Sequence, residues 1–125
     1  RAEPAVAPGR RIVVVDDNVD AAQSLATLLE LAGHEVRCSY DALAALQLVE
    51  SFEPDTAIID IGLPVMDGFE LARRLRTLPG LEALRIVAVS GYGSALDRER
   101  SEDAGIDAHL VKPVDYVRLR DLLSH

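Results

Sequence analysis

The sequence has one cysteine, Cys38, and one lysine, Lys112, in 125 residues. A single thiol excludes an internal disulfide framework and a multi-cysteine metal site. Lying in an apolar run, Cys38 reads as inert packing in a reducing compartment. No apolar run approaches the roughly 20 residues that span a bilayer, and no secretory signal pattern opens the chain. Basic charge is scarce: 13 Lys and Arg against 21 Asp and Glu give a formal charge of −8. Such a surface repels phosphate backbones and anionic membranes, so neither nucleic-acid binding nor membrane contact is expected of this domain. Phosphate-cradling loops are missing too. GxxxxGK[ST] does not occur, and the turn after the first apolar run is Asp16-Asp17-Asn18 rather than GxGxxG, which disfavours nucleotide sites. His34, His109 and His125 show no ligand spacing and no partnership with Ser or Cys, so a hydrolytic triad is unsupported.

What is present suits one domain, with 49% hydrophobic residues and enough length to bury a core without staples. Residues 1–10 (RAEPAVAPGR) have the composition of a flexible linker, leaving 11–125 as the folded unit. From there a short β-branched run followed by a helical stretch occurs five times. The runs are Ile12–Val15, Glu35–Ser39, Thr56–Ile59, Ile86–Val89 and Ala108–Val111. Four are nearly continuous in hydrophobicity, as strands covered on both faces are; the second alternates and reads as an edge strand. Ala22, Leu25, Ala26 and Leu29 line one face of the first helix, which Gly33 ends; Pro54 stops the second. Alternating strands and helices predict an α/β fold with a parallel sheet and right-handed crossovers. Five strands in this length fit the flavodoxin-like (βα)5 doubly wound sheet, strand order 2-1-3-4-5, with ligands at the carboxyl ends of the strands.

The strand ends carry complementary groups: Asp16-Asp17 after the first, Asp60 after the third, Ser90 after the fourth and Lys112 after the fifth. Singly, each reads as a polar strand end or helix cap. Together they form three carboxylates, a hydroxyl and an ammonium converging on one crevice. The carboxylates would repel one another, and the double negative charge left after Lys112 is counted is what one divalent cation cancels. An all-oxygen site with few protein ligands suits Mg²⁺ better than Zn²⁺. Mg²⁺ beside Lys and Ser suits phosphoryl transfer, and a carboxylate can serve as the nucleophile. Asp60, directly after a central strand, is the best candidate. Asp16, Asn18 and Asp20 match the start of a calcium loop, but Ala21 stands at its glycine and Thr27 at its closing glutamate, so an EF-hand is rejected.

These segments, with Ile59-Asp60-Ile61-Gly62-Leu63-Pro64-Val65-Met66-Asp67-Gly68, Val89-Ser90-Gly91 and Val111-Lys112-Pro113 in this order, resemble the receiver domain of two-component response regulators over about Arg11–Leu123. Twelve of the thirteen basic residues are Arg, and the one lysine stands at the family's lysine position. The resemblance implies that Asp60 accepts a phosphoryl group from a phosphohistidine on a histidine kinase or histidine phosphotransfer domain. It implies Mg²⁺ held by Asp17 and Asp60, by the Gly62 backbone carbonyl, and by Asp16 through water. Ser90 and Lys112 would bind phosphoryl oxygens, the Lys112-Pro113 peptide would be cis, and phosphorylation would shift the surface formed by the fourth helix, fifth strand and fifth helix. The stretch Ser94–Asp103, poor in apolar residues and with Glu99 and Asp103 repelling at i, i+4, fits a weakly anchored fourth helix.

Three departures stand out. His109 occupies the position of the family's aromatic switch residue; its plainer reading is a hydrogen-bonded surface histidine. Gly62 lacks a side chain beside Asp60 and Tyr92 stands two residues after Ser90, and the two are read as setting water access to the acyl phosphate. The chain ends directly after the fifth helix. With the start at Arg1, this predicts the C-terminal receiver of a larger protein, and Gly105–Asp115 is similar to receivers fused to hybrid sensor histidine kinases. The alternatives are a stand-alone single-domain regulator and a Mg²⁺-dependent phosphatase using an aspartyl phosphate. A cytoplasmic domain is expected, whose parent could be membrane-anchored.

Overall fold

A computed structural model describes residues 9–91 and 98–124. Five strands, β1 (Arg11–Val15), β2 (Glu35–Ser39), β3 (Thr56–Asp60), β4 (Arg85–Ser90) and β5 (Ala108–Val111), alternate with five helices. These are α1 (Val19–Leu31), α2 (Ala42–Phe52), α3 (Gly68–Thr77), α4 (Arg98–Ala104) and α5 (Tyr116–Leu123). The sheet is parallel throughout, in the order β2-β1-β3-β4-β5, which is the expected flavodoxin-like single domain. Among the described residues, no helix is long and apolar enough to cross a membrane.

Period-two alternation along the strands feeds two cores. Val13, Val15, Ala57, Ile59 and Ile86 face one side, against Ala45 and Val49 of α2 and Leu71, Ala72 and Leu75 of α3. Ile12, Val14, Ile58, Val87, Val89 and Leu110 face the other, against Ala22, Ala26 and Leu29 of α1 and Leu119 and Leu123 of α5. Both faces are covered, which is why the central strands read as unbroken apolar runs. In β2, Glu35 and Arg37 are exposed while Val36 is buried, as an edge strand requires. Cys38 is half-buried with its thiol 3.6 Å from the Ala22 carbonyl, and burial, then Glu30, push its pKa up, away from a reactive thiolate.

Side-chain carboxylates and amides start the helices. Asn18, Asp41, Asp67 and Asp115 each accept from a backbone N–H in the first turn of α1, α2, α3 and α5. Beyond α1, Gly33 takes φ +99°, the left-handed conformation expected of it. Helix α2 stops before Pro54 as expected, with Glu53 turning left-handed at φ +53° as its cap. The expected fourth helix began at Ser94, but its first turn lies outside the described residues, and α4 runs from Arg98.

Arg76 of α3 holds the far end of the sheet together. Its guanidinium donates to the Leu84 carbonyl, twice to the Gly105 carbonyl at 3.1 and 2.7 Å, and to Asp107 Oδ2 at 2.7 Å. Asp107 in turn accepts from the Ile86 amide at 2.8 Å. This side chain is largely buried, unlike Arg73, whose pair with Glu70 is solvent-exposed. Arg76→Ala should therefore lower stability in urea unfolding by about 2–3 kcal/mol, because partly buried carbonyls and a carboxylate lose a charged donor. Arg73→Ala should change it by under about 0.5 kcal/mol.

Candidate functional site

The register of the sheet builds the site. Val15 of β1 lies opposite Ile59 of β3, so the next residues, Asp16 and Asp60, emerge side by side. Val89 of β4 lies opposite Asp60, and Ser90 opposite Val111 of β5, which places Ser90 and Lys112 at the same carboxyl edge. The Lys112 amide donates to the Ser90 carbonyl at 2.8 Å, and the Lys112-Pro113 peptide is cis.

Three carboxylates meet here. Asp16, Asp17 and Asp60 each present an oxygen within 4.8 Å of the others, Asp16 and Asp60 buried and Asp17 exposed. The Lys112 ammonium bridges the two buried ones, 2.8 Å from Asp60 Oδ2 and 3.1 Å from Asp16 Oδ2. Partial burial works against this ammonium, but hydrogen bonds to Asp60 and Asp16 and their charges outweigh it, and its pKa lies above the ordinary lysine value. The other oxygens are fixed by backbone: Asp60 Oδ1 accepts from the Gly62 amide at 2.8 Å and Asp16 Oδ1 from the Asn18 amide at 2.9 Å. Both carboxylates thus have set orientations before any partner arrives. A cavity of about 290 Å³ opens beside them, floored by Val15, Ile58 and Val89 and walled by Leu25 and Leu28 of α1 and by Pro113 and Val114.

Asp16, Asp17, Asp60 and Lys112 are brought into one constellation, with Ser90 buried at its edge. Gly62 lies against Asp60: a Cβ there would stand 3.3 Å from Asp60 Oδ1. His109 is set apart on β5, half-buried, with Nε2 3.0 Å from the hydroxyl of Ser101 in α4. Tyr92 lies outside the described residues. Three neighbours escaped the sequence reading. Asn18, considered there only as a calcium-loop ligand, orients Asp16 while capping α1. Ser101, alone in a charged stretch, is buried at 2% exposure. Arg100 stacks over the Phe69 ring at 4.2 Å and reaches Asp67 Oδ2 at 3.0 Å, tying α4 to the start of α3. Desolvation would raise the Asp67 pKa, but the Glu70 amide and Arg100 outweigh it and hold it below the usual carboxylate range.

The loop between Asp60 and α3 also holds the least favourable backbone of the site. Val65 sits at φ +69° and is fully exposed, a conformation that β-branched residues avoid. Val65→Gly should stabilise the domain by about 1 kcal/mol in chemical denaturation, since it removes the left-handed penalty without losing a packed side chain. An unchanged or lower midpoint would mean that this backbone is relaxed.

Comparison with known proteins follows the same lines. The family profile described as "Response regulator receiver domain" matches residues 12–124. An uncharacterised 14.6 kDa protein of Leptolyngbya boryana is 39% identical over 113 residues, 90% of this chain and 86% of its own. The response regulator MprA of Mycobacterium ulcerans is 35% identical over 103 residues, 82% of this chain but only 44% of its own length. The crystal structure of the chemotaxis protein CheY4 of Vibrio cholerae superposes with a TM-score of 0.86 at 26% identity, covering 93% of this chain and 97% of that one.

Proposed function

The chain belongs to the response regulator receiver domain family, and from that premise we propose that Asp60 is its phosphoacceptor and that residues 11–125 form the whole receiver. A receiver domain of a two-component system takes phosphate from a histidine kinase or phosphotransfer protein. The observation that carries the assignment is the shared ammonium: Lys112 lies 2.8 Å from Asp60 Oδ2 at the mouth of a pit bearing two more carboxylates. Asp60 Oδ2 attacks the phosphorus of the donor's phosphohistidine. An O–P bond forms, the N–P bond breaks, and the donor imidazole leaves with the bonding pair. As Asp60 changes from carboxylate to acyl phosphate, Lys112 exchanges a carboxylate oxygen for a phosphoryl oxygen without moving far, and the Ser90 hydroxyl donates to another. The apolar wall of Leu25, Leu28, Pro113 and Val114 leads to Asp60 and offers the phosphohistidine donor a surface that excludes water.

The donor set fits Mg²⁺: Asp16, Asp17 and Asp60 each offer a carboxylate oxygen, Asp17 being exposed to solvent, and the Gly62 carbonyl would add a fourth oxygen. When bound, the ion neutralises charge on the transferring phosphoryl group. Asp17→Asn should abolish the rise in melting temperature that Mg²⁺ gives the native chain, which differential scanning fluorimetry measures directly.

Labelling with acetyl phosphate or a phosphorylated kinase core tests the acceptor. One acid-stable, alkali-labile phosphoryl group per chain is expected, dependent on Mg²⁺, absent in Asp60→Asn and reduced at least about tenfold in Lys112→Met. Sustained turnover of a phosphomonoester would instead make the protein a phosphatase, and stoichiometric labelling of Asp60→Asn would sink the assignment.

Ser90 and His109 form the switch in this reading. His109 reaches Ser101 and so links β5 to α4, a helix that buries Ser101 and Ala104 and leaves Glu99, Arg100, Glu102 and Asp103 exposed. Phosphorylation draws on Ser90, β4 and β5 shift, and the His109–Ser101 bond opens. His109→Ala should leave Asp60 labelling intact while abolishing the phosphorylation-dependent chemical-shift changes in α4. We place this receiver in a hybrid histidine kinase because Gly105–Asp115 is similar to receivers of that class. A stand-alone regulator is the rival, and the size of the native polypeptide on an immunoblot separates them.

A further inference from the structure

At the opposite edge of the sheet, the chain leading into β1 lies on the turn between α1 and β2. Gly9 is so close to Gly33 that a Cβ would stand 2.1 Å from the Gly33 carbonyl oxygen, so only glycine fits there without a shift. The Arg10 amide donates to His34 Nδ1 at 2.9 Å, and the Arg10 carbonyl accepts from the Glu35 amide at 2.9 Å. The Arg10 guanidinium donates to the Leu123 carbonyl in the last turn of α5 and lies 3.9 Å from Asp55 Oδ1. Arg85, at the start of β4, donates to the neighbouring Leu122 carbonyl. One residue thus joins the incoming chain to the end of α5, and one imidazole nitrogen holds that residue's amide.

Nδ1 can accept only in the neutral imidazole that carries its proton on Nε2. A proton on Nδ1 sets donor against donor and places a cation beside a guanidinium. The charged groups facing His34 are Arg10, from the incoming segment, and Asp55, from the start of β3. Glu35, next in the chain, is already engaged by Arg11 at 2.6 Å and Arg37 at 3.5 Å. Burial first, then Arg10, disfavour the imidazolium, Asp55 favours it, and the His34 pKa lies below the ordinary imidazole value.

We propose that His34 is a pH-operated latch: neutral, it fixes Gly9–Arg10 and through Arg10 the end of α5; protonated, it releases both. A depressed folded-state pKa means that the contribution is complete above the unfolded value of about 6.5 and is lost as pH falls through the folded one. The latch lies away from Asp60 and does not rest on the phosphoacceptor reading.

A nitrogen-15 NMR titration of the full chain from about pH 8 to about pH 5 tests it. The Arg10 and Ser124 amide shifts should follow the His34 imidazole with one midpoint. Arg10 amide exchange, relative to an unstructured reference, should accelerate about tenfold or more across it. Arg10→Gln should raise the His34 midpoint and Asp55→Asn should lower it. His34→Ala should leave the Arg10 amide unprotected at every pH. Titration of His34 without a response at Arg10 overturns the latch, as does native protection of Arg10 in His34→Ala. If His34→Ala does not fold, the decision passes to Arg10→Gln and Asp55→Asn, where unmoved midpoints overturn it.

Discussion

The structure depends on a charge arrangement that the sheet topology imposes. Strand order 2-1-3-4-5 makes β1 and β3 neighbours, so Asp16 and Asp60 must emerge together, with Asp17 close behind. At an effective dielectric near 20, two carboxylates at such a distance repel by about 3 kcal/mol. Lys112 offsets this by lying within hydrogen-bonding distance of both buried members, and the exposure of Asp17 lets water screen the third. The fold thereby holds a centre of net negative charge, which a divalent cation would neutralise. Its remaining acceptor atoms are oriented by backbone amides of the neighbouring loops, which costs the chain no additional side chains.

The helices are not held alike. Helices α1, α2, α3 and α5 bury leucine, valine and alanine faces against the sheet. Helix α4 buries Ala104 and Ser101 and is tied by Arg100 to α3 and by Ser101 to His109. Apolar burial is non-directional and tolerates small displacements, whereas hydrogen bonds and a stacked guanidinium do so only within narrow geometry. A shift of a few tenths of an ångström in β5 is therefore felt by α4, through the His109–Ser101 bond, far more than by α5, which packs on the opposite face of the sheet through Leu119 and Leu123.

Much of this was legible in the amino-acid sequence because it follows from short-range chemistry. Short β-branched apolar runs marked the strands, and their acidic, hydroxylic and basic ends marked Asp16, Asp17, Asp60, Ser90 and Lys112, which the register then assembles. What escaped depends on long-range packing. Arg10 belongs by composition to a linker, yet its amide, carbonyl and guanidinium are all engaged, because parallel pairing with β2 continues backward past β1. Arg76 looks like any helix-surface arginine, but the turns after α3 and α4 bring two carbonyls and Asp107 to it. Ser101 appears solvated in a run of charges and is buried because His109 lies across from it. Nothing in the local sequence marks Val65 for a left-handed backbone; Asp67 capping α3 and the Gly68 amide bonding back to Ile61 close the loop around it.

The concentration of all side-chain amine in one residue has a consequence for reagents. Within these 125 residues, amine-directed acylating or carbamylating agents meet a single side-chain amine, and that amine is clasped by two carboxylates. A protonated, hydrogen-bonded amine is a poor nucleophile, so covalent modification of the side chain reports whether the clasp is closed. Arginine elsewhere on the surface keeps solubility and ion pairing while remaining inert to the same electrophiles, which makes the chain its own internal control.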